Sequence, residues 1–309
     1  MRRAATVLLV GLALFTGCDD ESGQPAADPG AAGRETEEVA GFDSGRAFAD
    51  LEAQVELGPR PSGSAAARET AALIAERLRA AGVRRVGEQR PHRNVIGRLR
   101  GSAAGTVVVG AHYDTKNAIP GFVGANDGAS GVAVLLELAR SLPRPLPGPS
   151  VELVFFDAEE ARGNRPFGLD GIRGSRQYVA DARRGGRQGS TPLDEIRAMV
   201  LFDLVGDCEL QIPLEANSDP GLYELFAQAA EERTGSAAPF EGERAPVVDD
   251  HAPFLEAGVP ALDLIDFSYG PGPSPGAYWH TPEDTLDKVC AESLEAVGEA
   301  ALRAIPEIR

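Results

Sequence analysis

Thr106-Val-Val-Val-Gly-Ala-His-Tyr-Asp114 is an apolar, β-branched run that stops abruptly at residues able to hold a proton or a metal. Thr106 to Ala111 has the length and composition of a buried strand. On its carboxyl side, Gly128 to Ser141 follows a helical period, and Val151 to Phe156 (VELVFF) is a second strand-length run. The alternation continues with helical patterns at Gly171 to Arg183, Pro220 to Thr234 and Ala291 to Ile305. Between them lie strand patterns at Met199 to Leu204 (MVLFDL) and Ala261 to Ile265 (ALDLI). On the amino side, Ser64 to Ala81 places Ala71, Leu73, Ile74 and Leu78 on one helical period and stops at Gly82, a C-cap signal. Apolar strands alternating with helices predict an α/β fold: a single domain with a mixed, mostly parallel central sheet and helices on both faces. In such sheets active sites gather beyond the carboxyl ends of the strands.

Composition agrees. The 309 residues are 43% hydrophobic with 36 Gly and 23 Pro, which suits a turn-rich globular protein. The formal charge of -17 argues against nucleic acid or an anionic membrane surface as partner of the main body. Residues 1–17 carry Arg2 and Arg3, then an apolar run from Ala4 to Phe15 too short to span a bilayer, and read as an export signal. Leu14-Phe-Thr-Gly-Cys18 resembles a bacterial lipobox, which predicts lipidation of Cys18 and membrane attachment of an exported cell-envelope protein. Phe15 departs from the Leu usual in such signals. Residues 18–41 are rich in Ala, Gly, Pro and acid and read as a disordered linker, leaving 42–309 as the folded domain. With Cys18 at a processing site, Cys208 and Cys290 remain as a disulfide pair or as two buried thiols.

The chargeable residues grouped with the strands are His112, Asp114, Asp127, Glu159, Glu160, Asp203, Asp249 and His280, with Trp279 beside the last. Each has an ordinary reading. Asp127 suits a helix N-cap, Glu159-Glu160 a solvated turn, His112 a satisfied core histidine and Trp279 a packed aromatic. Their joint placement argues for more, because carboxylates crowded at one sheet end repel one another and a divalent cation relieves that cost. Carboxylate oxygens with imidazole nitrogen suit zinc, and three protein ligands leave a position open for substrate. Asp114, two residues beyond His112, is placed to orient its imidazole.

These residues resemble the zinc aminopeptidase and glutaminyl cyclase group, metallopeptidase family twenty-eight. The motifs are Leu57-Gly-Pro-Arg-Pro-Ser-Gly63, Ala111-His-Tyr-Asp-Thr-Lys116, Gly124-Ala-Asn-Asp-Gly-Ala-Ser-Gly131, Phe155-Phe-Asp-Ala-Glu-Glu-Ala161, Gly174-Ser-Arg-Gln-Tyr178, Leu201-Phe-Asp-Leu204, Asp249-Asp-His-Ala-Pro-Phe254 and Trp279-His-Thr-Pro-Glu-Asp284. The resemblance implies a zinc exopeptidase-like fold acting on peptide N-termini, with zinc held by Asp127, Glu160 and His280 and Glu159 as general acid/base. In the aminopeptidase branch, His112 and Asp203 would hold a second zinc bridged by Asp127. In the cyclase branch one zinc suffices, Asp203 and Asp249 hydrogen-bond near Glu159, and Trp279 shapes the substrate pocket. The Tyr113-Asp-Thr-Lys116 run, Asp249 and Trp279 lean toward a glutaminyl-peptide cyclotransferase resembling bacterial lipoprotein cyclases. Ala161-Arg-Gly-Asn164 lacks the aromatic stretch of animal cyclases, and Thr281-Pro-Glu-Asp-Thr285 looks equally like an aminopeptidase.

Overall fold

The computed structural model describes residues 41–309, so the export signal, Cys18 and all of the proposed linker except Gly41 lie outside the described residues. Six strands form one sheet: β1 (Val86–Gln89), β2 (Asn94–Leu99), β3 (Thr106–His112), β4 (Ser150–Phe156), β5 (Ile196–Asp203) and β6 (Ala261–Ile265). Their spatial order is β1-β2-β4-β3-β5-β6. The four strands read from the sequence, β4, β3, β5 and β6, pair in parallel, while β1 and β2 add an antiparallel extension beside β4.

Strict alternation along the central strands fills both faces. Val107, Val109, Ala111, Leu153, Phe155, Val200 and Phe202 enter the larger core. Val108, Val154, Phe156, Met199 and Leu201 enter the smaller one on the other side. Neither face meets water, which is why these strands read as continuous apolar runs rather than alternating ones.

The helices are α1 (Ser44–Val55), α2 (Ala65–Ala80), α3 (Ser130–Ser141), α4 (Phe167–Asp170), α5 (Arg173–Ala182), α6 (Pro220–Thr234), α7 (Ala252–Glu256) and α8 (Ala291–Ala304). Helix α2 begins where Ser64 accepts a hydrogen bond from Ala67 N (3.0 Å) and ends at Gly82, as its sequence signals require. Helix α3 starts two residues later than its apolar period suggests. Gly128, with φ +90°, turns the chain away from helix, and a Cβ there would lie 2.6 Å from the Asp114 carbonyl oxygen. Gly131 then lets the first turn touch the end of β5, since a Cβ would lie 2.1 Å from Phe202 O. The helix amino end is thereby pressed against the carboxyl ends of the central strands.

Two connections close the site end of the molecule. Cys208 and Cys290 are bonded, with Cα atoms 4.8 Å apart and a sequence separation of 82. Beside the bridge, Asp207 pairs with Val289 and Cys290 N donates to Gly206 O (2.9 Å). The bridge thus ties the turn after β5 to the segment between His280 and α8. Cys290→Ser is expected to lower the urea-unfolding free energy by about 2–4 kcal/mol, because a long loop of the unfolded chain is released. Equal unfolding midpoints for parent and variant would show that the bridge does not constrain that ensemble.

Candidate metal centre and active site

The carboxyl end of β3 presents His112, buried among the side chains of Asp114, Asp127, Glu159 and Asp203. Its Nε2 lies 3.2 Å from Asp203 Oδ1 and 3.3 Å from Asp127 Oδ1, while Nδ1 lies 3.1 Å from the Asp114 carbonyl oxygen. Asp203 is the last residue of β5, and Asp127 sits in the turn before α3. On the other side of Asp127, His280 Nε2 lies 3.4 Å from its Oδ2 and 2.9 Å from Glu160 Oε1.

Two groups of prospective ligand atoms therefore share Asp127: Asp127, Glu160 and His280, and His112, Asp127 and Asp203. Within each group the atoms lie within 4.8 Å of one another. Asp127 Oδ2 is buried yet has no hydrogen-bond partner. An orphaned carboxylate oxygen amid nitrogen and oxygen donors is what a zinc ligand set looks like in a structure without its ion, so these residues fit the metal.

Backbone geometry supports the centre. Asp114 does not orient His112 through its carboxylate, which is 3.8 Å from Nδ1; its backbone carbonyl faces the ring instead. The carboxylate accepts from Glu159 N (3.0 Å) and Glu160 N (3.3 Å), fixing the turn that bears both glutamates. Asp284 does the same for the other loop, accepting from Asn126 N (2.7 Å) and Asp127 N (3.0 Å), while the Tyr269 hydroxyl donates to it (2.8 Å). Ala158, Leu204 and His280 have φ values of +62°, +49° and +53°, conformations that non-glycine residues seldom adopt. Ala158 and Leu204 follow the ends of β4 and β5 and His280 lies in the segment between β6 and α8, where surrounding structure holds the backbone strain in place.

Protonation follows from this crowding. Burial pushes the Glu159 carboxyl well above its ordinary pKa, and the charges of Glu160, Asp249 and Asp250 act in the same sense against His112. Burial likewise raises Asp249 well above the usual carboxylate range, with Asp263 and Asp203 adding to it. Burial also opposes ionisation of Glu160, but the contact with His280 and the Lys116 ammonium 3.0 Å away hold its pKa below the ordinary value. The two adjacent glutamates are thus pulled in opposite directions, one toward the ion-holding form and one toward proton exchange.

A cavity of about 320 Å³ opens over these groups. Glu159, Asp203 and Asp249 face it together with the ligand candidates, and Phe167, Ile265, Phe267 and Trp279 supply apolar wall. Trp279 stacks on the His280 ring at 3.8 Å and 16°, and Phe267 meets Trp279 edge to face at 5.2 Å. Every site residue singled out in the described sequence except Asp114, which lies behind the Glu159-Glu160 turn, lines this one cavity. Asp249, however, does not follow a strand: it lies in the turn before α7, upstream of β6, and reaches the site by tertiary packing. Residues not foreseen as lining are Phe167, Pro246, Val247, Val248, Ile265 and Phe267. Their segments carry no chemical signal in sequence, though Lys116 and Asp284 stood inside motifs already noted.

Glu215 fastens the loop that carries Val247 to Asp249. It accepts from Val247 N and Asn217 N, both at 3.0 Å, and lies 3.3 Å from His251 Nε2. Burial works against its charge, but these donors hold its pKa down to about 2. A depressed folded pKa means the stabilisation is present above the ordinary glutamate range and is lost as the pH falls toward 2. Glu215→Gln is expected to flatten the acid limb of the stability profile in thermal unfolding between about pH 5 and 2; an unchanged limb would assign acid sensitivity elsewhere.

Known proteins match this geometry. A Boiga irregularis protein described as glutaminyl-peptide cyclotransferase is 34% identical over 238 residues, covering 66% of this chain and 63% of that protein. The chain thus matches less than two thirds of the length of that relative. The crystal structure of an Acidobacteriales bacterium glutaminyl cyclase superposes with a TM-score of 0.77 at 35% identity, covering 88% of this chain and 97% of the other. A Zn-dependent exopeptidase from Parabacteroides distasonis superposes with a TM-score of 0.72 at 25% identity, covering 86% and 99%. The profile of Peptidase family M28 matches residues 94–305, which include all of β2 to β6 and both candidate ligand groups, and the chain belongs to that family.

Proposed function

We propose that this chain is a zinc-dependent glutaminyl-peptide cyclotransferase, converting the N-terminal glutamine of a peptide to pyroglutamate with release of ammonia. One observation carries the choice. Glu159 and Asp249, both raised in pKa by burial, face the same cavity as the Asp127, Glu160 and His280 group, beneath the Trp279 and Phe267 wall. A reaction that relocates protons without consuming water suits acids shared in an apolar chamber.

Asp127, Glu160 and His280 would hold the zinc, which when bound supplies a Lewis acid for the side-chain carbonyl. The substrate's own α-amine attacks that carbonyl carbon, forming a C–N bond within the molecule and gaining from proximity. Glu159 accepts a proton from the amine and returns it to the amide nitrogen, which departs as ammonia. Asp249 shares protons with Glu159, so the two titrate as a unit, and Asp203 faces the same cavity. Trp279 and Phe267 wall the small side chain. The likeness to glutaminyl cyclases supports this reading.

A second reading rests on the other ligand group. His112, Asp127 and Asp203 are placed to hold a second ion, as an aminopeptidase with two zincs would need. Incubation of the purified protein with a Gln-initiated and a Leu-initiated peptide separates the two. Pyroglutamate and ammonia with one zinc per chain are expected; free leucine with two zincs per chain would replace the cyclase by the aminopeptidase. Export and lipid attachment at Cys18 remain part of the proposal, supported by residues 1–18 of the sequence.

A further inference from the structure

At the sheet end opposite the catalytic cavity, three chain segments converge on a second cavity of about 610 Å³. Its wall carries Arg84, Arg85, Arg98, Arg100 and Arg144 and no Asp or Glu. In a chain with 47 acidic and 30 basic residues, such a concentration runs against composition. Only Arg98 is neutralised, its Nε donating to Glu152 at 2.9 Å. The other four form no ion pair with a carboxylate among the described residues.

The segments are fastened to one another. Leu146 N donates to Arg100 O (3.2 Å) and Ser102 N to Leu146 O (3.0 Å), joining the end of β2 to the loop before β4. Gly82, with φ +76°, leaves the space that the Arg144 guanidinium occupies: a Cβ there would lie 2.8 Å from its Nη1. Like charges held together by the backbone repel, and a multivalent anion relieves that repulsion. Guanidinium forks match the paired oxygens of a phosphate group.

The amino end of the domain lies on the same side. Gly41 O accepts from Ser141 Oγ (3.4 Å), three residues before Arg144, so the described residues begin at the arginine end. Leu99 pairs with Val151 at the start of β4, whereas Glu159 and Glu160 follow its far end.

We propose that this arginine cavity seats the domain on the phosphate groups of an anionic membrane surface, with the catalytic mouth at the opposite end facing away. The inference rests on Cys18 as the point of membrane attachment, which brings the domain near such a surface. Net charge argued against an anionic membrane as partner. Screening over about 8 Å at physiological salt lets the local arginines outweigh distant carboxylates.

The test uses residues 41–309, so that lipidation contributes nothing. Val39–Arg309 is one compact unit, and the Acidobacteriales structure matches this chain over 97% of its own length, so the domain has the core it needs to fold alone. Sedimentation with phosphatidylcholine vesicles containing about 30% phosphatidylglycerol is expected to carry the domain down, and pure phosphatidylcholine is not. Arg84→Ala with Arg100→Ala should weaken partition about 25-fold, roughly fivefold for each arginine, with soluble peptide turnover unchanged. Equal partition onto both vesicle types, or of both proteins, overturns the proposal. Binding of inorganic pyrophosphate at these arginines without vesicle binding would assign the cavity to a soluble anion and equally overturn it. Cys18→Ala in the full chain, read by membrane fractionation of cells, tests the attachment reading separately.

Discussion

Glu159→Gln is expected to lower turnover of a Gln-initiated peptide by about 10²- to 10⁴-fold while zinc content stays at the parent level. Glu159 belongs to neither ligand group, and its Oε2 lies 4.0 Å from His112 Nδ1. Its backbone N–H is held by Asp114, so the amide variant keeps the turn in place. What the amide loses is the ability to exchange a proton. Glu160→Gln makes the contrast, since that side chain belongs with Asp127 and His280 and its replacement should release metal. Parallel measurements of kcat and zinc content decide the matter. A Glu159→Gln enzyme that retains more than about a tenth of parental kcat would remove Glu159 from the general acid/base role.

Arg60→Met should be the most destabilising single change outside the site, by about 3–5 kcal/mol in urea unfolding. Arg60 is fully buried, and its guanidinium forms no ion pair with a carboxylate among the described residues. It donates to the backbone carbonyls of Tyr113 (3.2 Å), Val123 (2.5 Å) and Gly124 (3.0 Å), with longer contacts to Gln54 and Gly58. Burial lowers its pKa to about 10, although the fields of Asp284, Asp127 and Asp114 oppose the shift. The side chain therefore pins the segment after His112 to the segment before Asp127, and also places a positive charge behind the carboxylate cluster. Methionine leaves several buried carbonyls without donors. Zinc should dissociate more readily from Arg60→Met as well, because the two clamped segments carry prospective ligands. Arg60→Lys keeps the charge but not the fork, and should recover stability only in part. If Arg60→Met unfolds at the parental midpoint, the clamp contributes nothing.

The apolar strands β3 to β6 and helices α2, α3, α5, α6 and α8 were legible because both faces of the parallel sheet are buried, which writes them as unbroken apolar runs. Strands β1 and β2 were not. Val86-Gly-Glu-Gln89 and Asn94-Val-Ile-Gly-Arg-Leu99 mix glycine and polar residues, and only antiparallel pairing, β1 with β2 and β2 with β4, makes them strands. Helix α1 lay beyond the segments with a visible period. Arg60 and Asp284 appeared within motifs but without a task, since, apart from the Tyr269 hydroxyl on Asp284, the partners of their side chains are backbone atoms that have no letter in the sequence.

What the sequence determined by itself was the donor inventory: Asp127, Glu160, His280, His112, Asp203 and Glu159, placed at strand and helix ends by patterns whose physics is local. Tertiary structure alone decided how these donors share space. It made Asp127 common to two groups, brought Asp249 in from the turn before α7, joined Cys208 to Cys290, and gathered arginines from three segments at the far end of the sheet. Periodicity and capping act over a few residues and survive in linear order. Desolvation and charge repulsion depend on distances between residues up to about two hundred positions apart, and only the packed chain sets those.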